Sequence, residues 1–318
     1  MSLNKLSKLH SKLLRSAVCV GNIPPAGEYY NLKKRRGLTG LAFCLPGFFG
    51  IAVFYLVPFL DVVRRSFVQA SGGRFCGADN YKIVLGNAAF QLAAKNTARF
   101  ILVCLPLLLL LSLLLALLVN GLGVRLKAAF KSAFLLPMAI PAASVVLLWK
   151  LMFDTHGFVN GIADWLGLAP VDWMNTDAAF VVLVFSYIWK NLGYTLVLWM
   201  AGLASVPQDV YEAAQIDGAG RLVRFFKITL PLIKPMIFTI VVLSLLNSFK
   251  VFREAYLVSG GYPQESIYLL QHLFNNWFLD LSVDKMAASS VLLALVIGIF
   301  VAVLEHSWED VPYRSSHE

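Results

Sequence analysis

Long apolar runs separated by polar segments dominate the pattern along this chain. Six runs are long enough to cross about 30 Å of hydrocarbon as α-helices. Within each run the apolar positions are continuous rather than alternating, which favours helices over the strands of a membrane barrel. The pattern predicts an all-α membrane protein with six transmembrane helices, at residues 41–63, 97–119, 131–152, 180–203, 233–256 and 286–305.

The longest strongly polar segment between two apolar runs predicts two short helices joined by a hinge. Ser205 and Pro207 form a helix-start signal for the first helix. The pair Asp217-Gly218 then interrupts the helical pattern with a turn. The second helix is amphipathic and is expected to end at Pro231, with an apolar side formed by Leu222, Phe225 and Phe226.

Two apolar runs carry polar residues at helical spacing, and we call these sets the polar stripes. A lysine near mid-membrane costs roughly 2.5–3.5 kcal/mol on insertion scales, so it should face an interior or a wet cavity. Tyrosine offers a ring face for stacking, and asparagine offers paired hydrogen-bond donors and acceptors. The stripes can line a solute path, or they can serve packing between helices, with Lys250 and Glu254 paired with each other at i, i+4 and not meeting a solute. Their members are Tyr187, Lys190, Asn191 and Tyr194 in the fourth run, and Asn247, Lys250, Arg253 and Glu254 in the fifth.

Composition supports a polytopic membrane protein. The 318 residues are 58% hydrophobic and 14% charged, whereas a soluble domain is about half apolar and a quarter charged. The net charge of +9 is informative through its distribution, because lysine and arginine set membrane topology and nucleic acid is not an expected partner. With the N-terminus inside, the inner segments hold 16 of these residues and the outer segments 6. We therefore expect both termini in the cytoplasm.

The sequence offers no catalytic or metal-binding set. The four cysteines have neither metal nor redox spacing, and the five histidines are scattered. No glycine-rich phosphate-binding loop of the type G-x-x-x-x-G-K-[S/T] occurs. Residues 1–37 are basic and carry leucines at near-helical spacing, which fits a helix on an anionic membrane face. A disordered tail is the alternative. A signal peptide is not expected, because no apolar core and cleavage site follow the basic start. We expect a protein that is not itself an enzyme.

The polar segment resembles the "EAA" loop of ABC importer permeases. It reads Glu-Ala-Ala, three residues, Gly, nine residues, then Ile-x-Leu-Pro. Other segments resemble carbohydrate-importer permeases of the maltose-transporter type, although Tyr262-Pro263 departs from the usual glycine then proline. These segments are Leu45-Pro46-Gly47, Asp79-Asn80-Tyr81, Asn96-Thr97, Leu135-Leu136-Pro137, Trp189 to Tyr194, Ala201-Gly202-Leu203 and Gly260-Gly261.

The resemblance implies a type I ABC importer permease of the cell membrane with a cytoplasmic coupling-helix loop. It implies a second permease, two ATPase subunits that bind ATP and magnesium, and an extracytoplasmic sugar-binding protein. It divides the chain into a cytoplasmic tail (1–37), a first transmembrane helix (38–66), an extracytoplasmic loop (67–94), a permease core (95–306) and a cytoplasmic tail (307–318). The residues that would couple to the ATPase are Glu212, Ala213, Ala214, Asp217, Gly218, Ile228, Leu230 and Pro231.

Three alternatives stay open at this stage. An ion-gradient carrier would need no ATPase-docking loop and would more often show inverted repeats. An ABC importer of a non-sugar solute and an integral-membrane enzyme are the other two. Within the sugar hypothesis, the cations of the polar stripes predict an acidic oligosaccharide, with a neutral sugar and water-screened lysines as the alternative.

Overall fold

The computed structural model describes residues 43–309, and all of its named elements are helices. The tail 1–37 and its predicted amphipathic helix lie outside the described residues. The long helices are α1 (Phe43–Ser66), α3 (Ala88–Asn120), α7 (Ala179–Ala204), α10 (Lys234–Ser248) and α13 (Val283–Glu309). The shorter ones are α2 (Asp79–Gly86), α4 (Val124–Ala139), α5 (Ala142–Met152), α6 (Phe158–Trp165), α8 (Gln208–Ile216), α9 (Arg221–Arg224), α11 (Phe252–Ser259) and α12 (Leu270–Leu279).

Five helices in the described part of the chain are long and apolar enough to cross a membrane, and one bent pair adds a sixth span if it is counted as one. The prediction of an all-α membrane protein is thereby confirmed. The second predicted span, 97–119, belongs to α3, which begins earlier, at Ala88. The Asn87 side chain caps α3 there, because it accepts a hydrogen bond from the Phe90 N–H (3.0 Å). The predicted outer loop 67–94 therefore contains α2 and the first turns of α3.

The third predicted span, 131–152, is not one straight helix. Helices α4 and α5 meet at an angle of 90°. The break falls at Ile140-Pro141, and Pro141, which has no N–H to donate, precedes the first residue of α5. Pro137 lies inside α4.

Helices α3 and α7 form the centre of the packed region. The Trp199 indole N–H donates to the Ser112 hydroxyl (3.0 Å), and both residues are buried. Leu102, Leu110 and Leu118 of α3 are exposed. Such exposed apolar side chains suit contact with lipid rather than water.

The segment Asn96-Thr97, which carries part of the family resemblance, holds a loop in place. The Asn96 amide donates to the carbonyls of Glu265 (2.6 Å) and Tyr268 (3.1 Å), and the Thr97 hydroxyl accepts from the Leu270 N–H (3.0 Å). These bonds fix the connection between α11 and α12 against α3. The connection is thereby positioned at one end of the cavity-bearing helices α7 and α11.

Candidate functional site

A cavity of about 180 Å³ lies between α7 and the junction of α10 with α11. It brings together residues that are about 60 positions apart in the sequence. Seven of the eight members of the polar stripes line it, together with Met138, Ser186 and Val251. Tyr194 is the stripe residue that does not belong to its lining. The two stripes thus converge on one cavity, and their role as a substrate path stays a prediction.

The junction between α10 and α11 is a single 3₁₀ turn, Phe249–Val251. In 3₁₀ geometry residues three apart are eclipsed, so Lys250 lies over Asn247. The Lys250 ammonium accordingly donates to the Asn247 side-chain oxygen (2.7 Å). Short 3₁₀ stretches within a longer helix are also common hinge positions.

An ion pair crosses the cavity between α7 and α11. The Lys190 ammonium donates to a carboxylate oxygen of Glu254, and the two side chains are 18% and 12% exposed. The alternative pairing of Glu254 with Lys250 on its own helix is therefore wrong. The 3₁₀ turn explains the difference, because its tighter twist rotates Lys250 away from the position that four α-helical residues would give it.

Tyr187 is used for packing between helices. Its hydroxyl donates to the Ser244 carbonyl oxygen (3.1 Å), and its ring meets Phe100 edge to face with centroids 5.5 Å apart. The Asn191 amide donates to the Tyr187 carbonyl oxygen (2.8 Å). Tyr187 is only 3% exposed, so it offers little ring surface for sugar stacking.

The segment that resembles the EAA loop forms two helices and a hinge, as the sequence predicts. Helix α8 ends in a Schellman arrangement, in which the Ala219 N–H bonds the Ala214 carbonyl (2.9 Å) and the Gly218 N–H bonds the Gln215 carbonyl (3.1 Å). Gly218 has φ of 76°, a left-handed conformation that glycine adopts without steric cost. The Tyr211 and Thr229 hydroxyls, 2.9 Å apart, tie α8 to the second helix.

The structure corrects two local predictions in this segment. The Ser205 hydroxyl donates to the Gly202 carbonyl (2.7 Å) at the end of α7 and does not cap α8, whose N-cap residue is Pro207. Pro231 does not end the second helix. Helix α9 continues through a π-turn at Phe225–Thr229 and the α-helical turn Leu230–Leu232. Pro231 has no N–H to donate, and the helix changes to π geometry just before it.

The remaining coupling residues divide by exposure. Ala214 is buried against the hinge, and Ile228 and Leu230 are half-buried. Glu212, Ala213, Asp217 and Pro231 are exposed. Beside them lie exposed apolar side chains, of which Ile216 (87%), Leu222 (74%) and Phe226 (60%) are the largest. The segment thus presents a surface that mixes apolar side chains with charges of both signs, since Arg221 and Lys227 are exposed as well.

Sequence reasoning missed three features that the fold creates. A Cβ on Gly193 would lie 1.9 Å from the Phe134 carbonyl oxygen, so α4 and α7 touch through backbone at this point. The Trp149 indole N–H donates to the Ser186 hydroxyl (2.7 Å) behind the cavity. His272, fully buried in α12 outside the spans, has its pKa lowered from 6.5 to about 4 by burial. Only the Trp-Lys-Asn-Leu-Gly segment around Gly193 gave a sequence signal.

Comparisons with known proteins agree with this architecture. Residues 108–309 match the family model described as "Binding-protein-dependent transport system inner membrane component". The chain is 32% identical over 240 residues to the trehalose/maltose transport system permease protein MalF of Thermococcus litoralis, covering 73% of this chain and 80% of that protein. It is 30% identical over 266 residues to the arabinooligosaccharides transport system permease protein AraP of Bacillus subtilis, covering 80% and 83%.

A solved structure has the same fold. A chain of a bacterial ABC transporter involved in the import of the acidic polysaccharide alginate superposes with a TM-score of 0.74 at 24% identity, covering 90% of this chain and 99% of that one. The family match covers more than half of the sequence and includes the polar stripes, the cavity and the EAA-like segment. This chain is a multi-pass membrane protein that belongs to the family of inner membrane components of binding-protein-dependent transport systems.

Proposed function

We propose that this chain is one of two permease subunits of an ATP-driven oligosaccharide importer. The observation that carries the proposal is the polar cavity between α7 and the α10–α11 junction, in a chain of this family. The transport systems of its relatives are named for trehalose and maltose, arabinooligosaccharides and alginate, which supports a sugar cargo. An extracytoplasmic binding protein would deliver the sugar, and a second permease would complete the path.

The cavity by itself supports a path shared between two subunits. Complete ligand pockets measure roughly 300–1,000 Å³, whereas this cavity measures about 180 Å³. One subunit therefore provides room for one part of an oligosaccharide. A second permease facing the same cavity would supply the rest of the contacts.

The EAA-like segment would transmit the movement of two separate ATPase subunits. Its exposed apolar side chains and the exposed Glu212 carboxylate form a surface suited to an ATPase groove that has an apolar floor and a basic rim. ATP and magnesium would bind on the ATPase. The match to a family of transport-system membrane components supports a permease that is not itself an enzyme.

The orientation of the chain follows from the same reasoning. ATP is cytoplasmic, so the EAA-like segment faces the cytoplasm and both termini lie on that side, in agreement with the lysine and arginine distribution. In a background without the four native cysteines, a single cysteine at 215 or 220 should react with an impermeant thiol reagent only after permeabilisation. A cysteine at 170 or 262 should react in intact cells or spheroplasts. The reverse labelling would contradict the orientation.

Reconstitution of the complex tests the proposed function directly. The chain, its second permease, the ATPase and the binding protein are placed in proteoliposomes, and ATPase activity and uptake are measured across a panel of oligosaccharides. At least one oligosaccharide should stimulate both. If no sugar stimulates either activity while another solute does, the chain imports a different class of solute.

Substitutions in the hinge test coupling. Gly218→Asp places a side chain at positive φ, and Glu212→Lys reverses the exposed charge. Each should leave the protein in the membrane but abolish uptake or uncouple the ATPase. Gly220→Asp is the matched control, because Gly220 has φ of −65° and open space around its Cβ position. Full uptake by the double variant of Gly218 and Glu212 would remove the coupling assignment.

A further inference from the structure

We infer that Lys250 and Arg253 bind an anionic substituent, such as a uronate carboxylate, on the transported sugar. The inference rests on the proposed function and specifies the substrate class of the same cavity. It assigns different roles to the cations of the polar stripes: Lys190 is structural, whereas Lys250 and Arg253 are the ones that contact the ligand.

The side chains that line the cavity carry more positive than negative charge. Its lining contains three cationic side chains, Lys190, Lys250 and Arg253, and one carboxylate, Glu254. The Lys190–Glu254 ion pair uses that carboxylate, and both of its side chains are largely buried. Two positive charges remain without a carboxylate partner among the residues that line the cavity.

Lys250 and Arg253 are the two cations outside the Lys190–Glu254 pair. Lys250 donates to the Asn247 side-chain oxygen (2.7 Å), which is neutral and orients the ammonium without cancelling its charge. No ion pair found in the described region includes Lys250 or Arg253. Both residues are exposed, and both line the cavity. An anionic ligand would therefore meet accessible, already oriented donors.

Lys250 and Arg253 lie close together in the sequence, at the junction of α10 and α11. Lys250 lies in the 3₁₀ turn and Arg253 in the first turn of α11, three residues later. Residues at this spacing share one face of a helix. Both cations can thus reach a single oxyanion, with the arginine fork matching two oxygens and the lysine acting as a point charge. The cavity of about 180 Å³ has room for one such group and its sugar ring, not for a whole oligosaccharide.

Retention of two uncompensated cations has a physical consequence for selectivity. A neutral sugar would leave these two charges with water and neutral partners only, whereas an anionic sugar neutralises them. Charge-assisted hydrogen bonds are roughly twice as strong as neutral ones. The site should therefore discriminate for charge on the sugar more than for its stereochemistry.

The test uses the reconstituted complex and a defined set of probes. These are oligomers of galacturonate, glucuronate and mannuronate, the neutral oligosaccharides of the same lengths, and a hexose phosphate. Uptake and stimulated ATPase activity are measured for the wild type and for Lys250→Gln, Arg253→Gln and Lys250→Arg. Lys95→Gln is the control, since Lys95 is an exposed cation of α3 outside the cavity.

The expected result is that an anionic sugar drives the wild-type complex. Each glutamine variant should lower its uptake by about tenfold, the scale of one lost charge-assisted hydrogen bond. Lys250→Arg should restore most of the rate, and Lys95→Gln should behave as the wild type. A response to uronates identifies a carboxylate as the recognised group, and a response to the hexose phosphate alone identifies a phosphate.

Two results would overturn the inference. One is uptake driven only by neutral oligosaccharides. The other is uptake of an anionic sugar that is unchanged in Lys250→Gln and Arg253→Gln at equal membrane levels. Both leave the sugar importer itself intact. A complex that responds to no sugar at all would instead contradict the proposed function.

Discussion

Glu254→Gln removes the one carboxylate among the described residues that line the cavity and leaves the Lys190 ammonium without its partner. The two side chains are 18% and 12% exposed, so water can replace little of the lost interaction. Breaking a buried ion pair on one side costs about 3–5 kcal/mol, because an uncompensated charge stays behind. Removing both members costs much less. We therefore expect Lys190→Met to rescue the stability of Glu254→Gln.

A double-mutant cycle measures this coupling. Unfolding of the purified protein is followed in mixed micelles by titration with a denaturing detergent, for the wild type, both single variants and the double variant. The coupling free energy should be at least about 2 kcal/mol. The control is the same cycle with Lys250→Met in place of Lys190→Met.

The control cycle should show a coupling near zero, because Lys250 bonds to Asn247 and not to Glu254. A coupling below about 0.5 kcal/mol between Lys190 and Glu254 falls within ordinary additivity and would refute the assigned pairing. So would a larger coupling for Lys250 than for Lys190.

Three further predictions test other parts of the structure. Gly193→Ala should reduce the amount of folded protein measured by size exclusion, because the new Cβ would lie 1.9 Å from a backbone oxygen of α4. Gly298→Ala is the control and should have no effect in that assay, because the space around its Cβ position is open. His272 is neutral when buried and is protonated more readily in the unfolded chain, so the free energy of unfolding should fall by about 3 kcal/mol in all as the pH drops from 6.5 toward 4. A pH dependence that persists unchanged in His272→Leu would contradict this. The Asn160 amide donates to three backbone carbonyls within 154–171, so Asn160→Asp should speed hydrogen exchange in that loop and leave α7 protected; equal exchange in both proteins would argue against the role of Asn160.

The residues that reach the cavity were predictable one helix at a time. Helical periodicity alone placed Lys190 and Asn191 on one face of the fourth run and Asn247 and Lys250 on one face of the fifth. Whether the two faces meet depends on the rotation of each helix about its axis, and the apolar cluster that these helices share with α3 sets that rotation. The role of these residues in transport stays a prediction.

The sequence by itself determined where the chain enters and leaves the apolar phase. Lipid favours apolar side chains whatever their neighbours are, so composition within a run is sufficient to place five of the spans. It also determined the hinge at Gly218, because a left-handed residue after a helix is a local requirement that glycine meets.

The tertiary structure alone decided which groups pair. Glu254 has a cation at i−4 on its own chain segment and another 64 residues away, and it bonds the distant one. The reason is geometric: one 3₁₀ turn rotates Lys250 toward Asn247, and the close approach of packed helices brings Lys190 within reach. Local spacing cannot encode such a choice, because it depends on the relative positions of two helices that touch only in the folded protein.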